Sequence, residues 1–402
     1  MKQPTALSLL LFCLLLLPAD QSAASAITDT IQMHGFISQG YLDSSDNNFL
    51  ADSVNGTWQF HEAGVNLNGR INDKIRFGGQ LLSRDLGDYG DGRIRLDWGL
   101  IDYHQRDWAG LRLGKVKIPL GLYNTERDSD FLRPLIFLPQ SIYDETRRDS
   151  ALAHWGGELY GTMTSPAAGS LDYRFFAGRM EYDDDSVVHD ATLLAANKYL
   201  RNNPDPSLPA SIDDCDRDND YLYGFNLLYS PPVDNLRLGL SLLTGKDTNE
   251  GDGEKTGSQR TNANVVLSLE YLWRDFTISM EYGENDRSET MFGVTTFDGT
   301  HQSWYVMLSY ALSEHLSATV LYDEYYRNKR DKSPSVHASG RPNPTPWRKD
   351  WGFGLRYDVN NQWTVKAEWH VVDGTAMLQD FFNPGGSARY WQYGALKVSF
   401  NF

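Results

Sequence analysis

The chain closes on Leu396-Lys397-Val398-Ser399-Phe400-Asn401-Phe402, seven residues that alternate apolar and polar without a break and stop on an aromatic carboxy-terminus. Period two is the mark of a strand whose two faces meet different media. Ends of soluble domains usually fray and are polar, whereas a lipid-facing strand needs Leu396, Val398, Phe400 and Phe402 on one side and Lys397, Ser399 and Asn401 on a wet side. For this segment alone an edge strand of a soluble β-sandwich competes, and the rest of the chain must decide.

The other end bears on the compartment. Lys2 gives a basic start, Leu9 to Leu17 an apolar core and Ala24-Ser25-Ala26 a small-x-small cleavage site, so residues 1–26 read as a secretory signal peptide and 27–402 as the mature chain. Cys13 lies inside the apolar run, not after it, which argues against a lipoprotein. Beyond residue 26 no run approaches about 18 apolar residues, so a helical membrane protein is excluded. Mean hydropathy is −0.48, which fits either a large soluble β protein or a barrel with polar inward residues. Cys215 is the one cysteine left after cleavage, so no intrachain disulfide staples the fold. The formal net charge of −16 argues against a nucleic-acid partner.

Alternation predicts sixteen strands, near 30–41, 57–68, 74–84, 93–104, 110–118, 154–163, 170–181, 221–229, 236–245, 264–272, 276–284, 301–310, 316–326, 350–357, 363–372 and 388–402. The connections sort by parity. Even-to-odd links such as Trp273 to Asp275 are brief, while odd-to-even links are long except Asp85 to Gly92: Leu42 to Gly56, Pro119 to Ala153, Tyr182 to Asp220, Lys246 to Ala263, Asn285 to Thr300, Arg327 to Lys349 and Asp373 to Ser387. Short turns therefore lie at one rim and long loops at the other. A sandwich or propeller has no reason to sort turns this way, and no repeat of about 40 residues appears. The reading is all-β: a transmembrane antiparallel barrel of sixteen strands with short periplasmic turns and long extracellular loops, in the outer membrane. Trp58, Trp98, Trp273, Tyr305, Trp363, Trp391 and Tyr393 are placed in interfacial girdles.

In such a barrel charged strand residues face the lumen. Arg93, Arg95, Arg112, Lys115 and Lys117 form a basic strip on strands four and five, although Arg112 differs in parity from the two lysines and needs a bulge at Gly114 to join them. Glu270, Glu281, Asp323 and Glu368 form an acidic wall opposite. Pairing across the wall is the plain use of most such residues. The connection 119–153 is too long and, at Phe131-Leu132-Arg133-Pro134-Leu135-Ile136-Phe137-Leu138-Pro139, too apolar to stand in water, so it is expected to fold into the barrel and constrict it with Arg127, Asp128, Asp130, Arg133, Arg147 and Arg148. A compact external loop used for adhesion is the alternative.

Taken together, the terminal strand, strand count, loop parity and long fifth-strand loop resemble the sixteen-stranded porins of Gram-negative bacteria. The stretch Leu111-Arg112-Leu113-Gly114-Lys115-Val116-Lys117-Ile118-Pro119-Leu120-Gly121-Leu122 is similar to the end of the fifth strand in phosphate-selective and related porin families. This chain lacks their dense runs of arginine and lysine. The resemblance implies a water-filled channel for passive diffusion of small hydrophilic solutes or ions, a homotrimer among outer-membrane lipids, and no cofactor.

Two other chemistries are weaker. The acids Asp183-Asp184-Asp185 and Asp213-Asp214-Cys215-Asp216-Arg217-Asp218-Asn219-Asp220 lack the glycine and closing glutamate of a calcium loop and read as a solvated face, with a short helix from Ala191 to Leu200 between them. Nine scattered histidines without a Gly-x-Ser-x-Gly or His-Glu-x-x-His pattern argue against an enzyme. A non-conducting adhesive or structural barrel is the competing class.

Overall fold

The computed structural model describes residues 31–87, 89–183, 187–332, 345–379 and 382–402. The segment read as a signal peptide lies outside them. Sixteen antiparallel strands close into one barrel, each paired with its sequence neighbours. They are β1 (Gln32–Ser44), β2 (His61–Arg70), β3 (Ile75–Leu86), β4 (Tyr89–Arg106), β5 (Ala109–Lys117), β6 (Ala153–Ser165), β7 (Gly169–Arg179) and β8 (Cys215–Ser230). There follow β9 (Leu236–Gly251), β10 (Glu254–Trp273), β11 (Phe276–Met291), β12 (Val294–Ala311), β13 (Leu316–Tyr326), β14 (Trp347–Asp358), β15 (Trp363–Gly374) and β16 (Tyr390–Asn401). Closure is by β1 on β16, with Tyr41 opposite Leu396 and Phe36 opposite Asn401, which leaves no unpaired edge.

Alternation sets the faces. Met33, Ile37, Val65, Leu111, Leu113, Phe353, Leu355 and Leu396 are exposed on the outer surface, while Ser38, Gln80, Glu281, Lys366, Lys397 and Ser399 are buried on the inner one. An outer surface of this kind belongs in hydrocarbon. At its foot Trp363 packs at a tilt against Phe400, with ring centroids 4.7 Å apart, and Phe400 stacks on Phe402. Not every aromatic predicted for the girdles is there: Tyr305, Trp391 and Tyr393 are buried inside the barrel, and the Trp98 indole donates to Asp128 in the folded-in loop. Period two gives a side-chain parity but does not say which parity is outward when both faces carry aromatics.

Two predicted loops are corrected. Lys246 to Ala263 and Asn285 to Thr300 are continuations of β9–β10 and β11–β12, joined by two-residue turns at Asp252-Gly253 and Phe292-Gly293. All four turn residues have positive φ, +50° and +81°, then +46° and +79°, the mirror-image turn whose twist matches a hairpin. Likewise the acidic run from Cys215 is strand β8 rather than loop. The helix between the acidic ends exists and is longer than expected, Val187–Asn202.

The barrel is not hollow at mid-height. After β5 the chain turns inward and crosses the lumen as short helical turns, among them α1 (Arg148–Ala151), before rejoining the wall at β6; the Val187–Asn202 helix, α2, lies at the extracellular mouth. Leu42, Phe49, Phe60, Ile136, Phe137, Trp391 and Tyr393 pack into one apolar cluster inside the barrel. Leu122, Tyr123, Leu135, Leu138, Tyr143, Tyr305 and Met307 form a second.

Candidate functional site

A loop buried inside a barrel must find partners for its own backbone N–H and C=O groups, because it forms no ladder of its own. Wall side chains supply them here. Glu281 on β11 accepts from the Leu122 N–H at 2.9 Å and from the Tyr143 hydroxyl at 2.5 Å. Glu368 on β15 accepts from Ile136 N–H (2.8 Å) and Phe137 N–H (3.3 Å), and Asp323 on β13 from Ser141 N–H at 3.1 Å. Arg356 donates to the carbonyls of Phe131 (2.6 Å) and Arg133 (3.2 Å). Glu270 takes the Tyr123 hydroxyl at 3.2 Å as well as Arg237. The acids expected to form one wall of an open field are therefore covered by the loop, and their charge is spent on holding it.

Beneath those contacts lies a buried ion network. Asp130 meets Lys366 at 3.2 Å, Arg133 at 3.0 Å and the Ser399 hydroxyl at 2.6 Å, with Lys397 at 3.5 Å. Lys397 also pairs with Glu62 at 2.6 Å. Burial alone would raise the Asp130 carboxyl, but Lys366, Lys397 and Arg133 outweigh it and hold the group well below the usual carboxylate range. Glu145 receives Arg84 at 2.6 Å and Arg127 at 3.1 Å; burial raises it, the arginines more than offset that, and its pKa is lowered to about 2. Burial and then the Glu281 carboxylate push the Tyr143 hydroxyl well up, so it stays a donor.

A bulge explains how β4 contributes twice. Gln80 pairs with Trp98 and Leu81 with Leu96, leaving Asp97 as the extra residue. Asp97 then receives both terminal nitrogens of Arg148, at 2.6 and 2.9 Å, while its neighbour Trp98 bonds Asp128 at 3.2 Å. At Gly114, where a bulge was expected, the pairing runs in register with Leu100 and Gly156. No shift of parity is made there: Arg112 and Val116 stay opposite the buried Glu158 and His154 on one face. Gly114 answers a local need, since φ is +133° and a Cβ there would stand 2.3 Å from the Gly99 carbonyl oxygen.

The expected basic strip is divided among separate acids. Arg93 is exposed and bonds Asp91 at 2.9 Å. Arg95 bridges Asp91 and Asp183. Arg112 pairs with the buried Glu158 at 2.7 Å and lies over the Tyr160 ring. Lys115 reaches the Leu96 carbonyl and Glu181, each at 2.9 Å, away from the loop. Lys117 alone of the five touches the loop, at Asp128 (2.6 Å). Arg147 is half-exposed with a loose contact to Asp144 at 3.6 Å. Sequence reasoning missed Arg84, Tyr123 and Tyr143, which bind across the lumen; Arg84 shares the inward parity of Leu82, and that was its available signal. Where α2 meets the start of β8, His189, Asp214 and Asp216 come together.

Two cavities flank the loop. The periplasmic one, about 530 Å³, is lined by Asn66, Gln80, Trp98, Lys117, Glu126 and Asp128 among others. The extracellular one, about 200 Å³, lies under α2.

No protein-family model and no curated protein matches this sequence. Solved structures do. The anion-selective porin from Comamonas acidovorans aligns over 93% of this chain and 99% of its own at TM-score 0.55 and 10% identity. Salmonella typhi OmpF, in a complex with daunomycin, aligns over 92% and 97% at 0.54 and 12%. Pseudomonas putida OprB aligns over 93% and 95% at 0.53 and 10%. The fold is that of a porin. Its apolar outer surface suits a bilayer, and the loop after β5 is drawn inside the barrel.

Proposed function

We propose that this barrel is an outer-membrane porin that passes small hydrophilic solutes or ions down their gradients, along a path narrowed by the 119–153 loop and lined in part by Arg112, Lys117 and Asp128. The observation that carries the reading is the loop itself, held inside the barrel by wall side chains with polar cavities on both its faces. Of the similar structures one is an anion-selective porin and another is in a complex with daunomycin, so they support no single solute. A homotrimer follows from the porin resemblance and is checked by mass measurement in detergent.

Planar-bilayer recording tests the channel. Stepwise openings of constant, small size are expected, because so much of the cross-section is filled. Lys117→Gln leaves Asp128 beside the periplasmic cavity without its lysine, so the reversal potential in a salt gradient should move toward cations; an unchanged potential removes Lys117 from the path. A second reading has its own support. The loop seals to the wall through two apolar clusters and buried ion pairs, as in a non-conducting adhesive or structural barrel, and folded protein that inserts without openings selects it.

A further inference from the structure

The extracellular cavity under α2 has two unlike walls. On the strand and loop side its charged lining is Arg147, Arg217, Arg287 and one carboxylate, Glu289; on the helix side stand Val187, Val188, Ala191 and Ala195. The arginines are fixed rather than free to swing. Arg217 donates one terminal nitrogen to Asp247 at 2.5 Å and to Gln259 at 2.9 Å, and its guanidinium lies 5.1 Å from the Tyr182 ring centre. Arg287 bonds Glu289 and is about nineteen-twentieths buried, with its side chain 5% exposed. Both Arg217 and Arg287 nevertheless keep a buried Nε–H with no partner among the described residues. Those Nε atoms are enclosed, so what the cavity meets is the outer edge of each guanidinium group, and both residues line it.

We infer that this vestibule binds a small organic anion, a carboxylate with a compact apolar body. The oxygens take N–H groups on the cavity-facing edges of the Arg217 and Arg287 guanidinium groups with Arg147 closing the site from the loop, and the apolar body lies on the alanine and valine face of α2. Guanidinium groups suit carboxylates because they offer paired, charge-assisted donors in a fixed plane. The carboxylates nearby, Glu289, Asp247 and Asp144, already hold one arginine each. They orient the guanidinium groups and limit affinity to the weak range suited to a solute that must leave again.

The test is calorimetric titration of the whole detergent-solubilised barrel, which needs no conductance and so separates this site from the channel reading. Benzoate is the probe; benzamide, benzylammonium and sulfate are its neutral, cationic and wholly polar counterparts. Saturable benzoate binding is expected, with each counterpart weaker by about tenfold or more. Arg287→Gln and Arg147→Gln should each cost about tenfold, and Ala191→Asp should abolish binding. Arg147 is half-exposed, so its variant keeps the fold even where Arg287→Gln does not. No benzoate binding, equal binding of benzamide or sulfate, or unchanged binding by a folded Arg147→Gln barrel overturns the site.

Discussion

Asp130→Ala is expected to release the loop from the wall. The substitution leaves Lys366, buried on β15, facing only the carbonyls of Asp130 and Leu135, and it strands Arg133 beside it. Removing one member of a buried, paired set costs about 3–5 kcal/mol, because an uncompensated charge remains in a poorly solvated place. Lys397 keeps Glu62, so β16 should stay closed and the barrel folded. Two readouts should move together: a lower unfolding temperature in detergent and larger, noisier conductance steps. Asp130→Ala with wild-type stability and wild-type steps would show that the network is ornamental to the loop's position.

Acid should do the same without mutation. Asp130, Asp149 and Glu145 lie in the loop, and in each case burial, which raises the carboxyl, is outweighed by neighbouring cations, Lys366 for Asp130, Arg84 for Asp149 and Arg127 for Glu145. A folded-state pKa below the unfolded one stabilises the native state above the unfolded value, and that contribution disappears as pH falls through the folded one. For Glu145 the window runs from 4.5 down to about 2. The loop should therefore hold at pH 5 and loosen progressively below about 4, read as pepsin cleavage in the Phe131 to Leu138 stretch that rises steeply as pH approaches 2. Cleavage independent of pH over that range would mean the apolar clusters alone hold the loop.

Most of the barrel could be read from alternation and turn length because both are local. Every predicted strand has its counterpart, and β13, expected near 316–326, spans Leu316–Tyr326. The failures are physical. Polar stretches such as Gly257-Ser258-Gln259-Arg260 look like loop, yet they form a strand once they rise above the lipid, where neither face needs to be apolar; only Asp252-Gly253 marked the turn. The loop's inward fold was legible from its apolar run. What Glu281, Glu368 and Asp323 do was not, since their task depends on which backbone N–H groups a distant loop brings to them. An inward carboxylate has the same appearance in a sequence whether it meets water or a buried amide.

The two long hairpins have a practical meaning of their own. β10 has 20 residues, whereas crossing hydrocarbon takes about 9–11, so about half the strand stands clear of the membrane as paired, twisted sheet. A foreign peptide spliced between Asp252 and Gly253 would ride on a stiff mast rather than a floppy tether. It would be displayed at a set height above the cell, with the barrel wall and its inner loop undisturbed, which makes this tip the natural place for a surface epitope or an affinity handle.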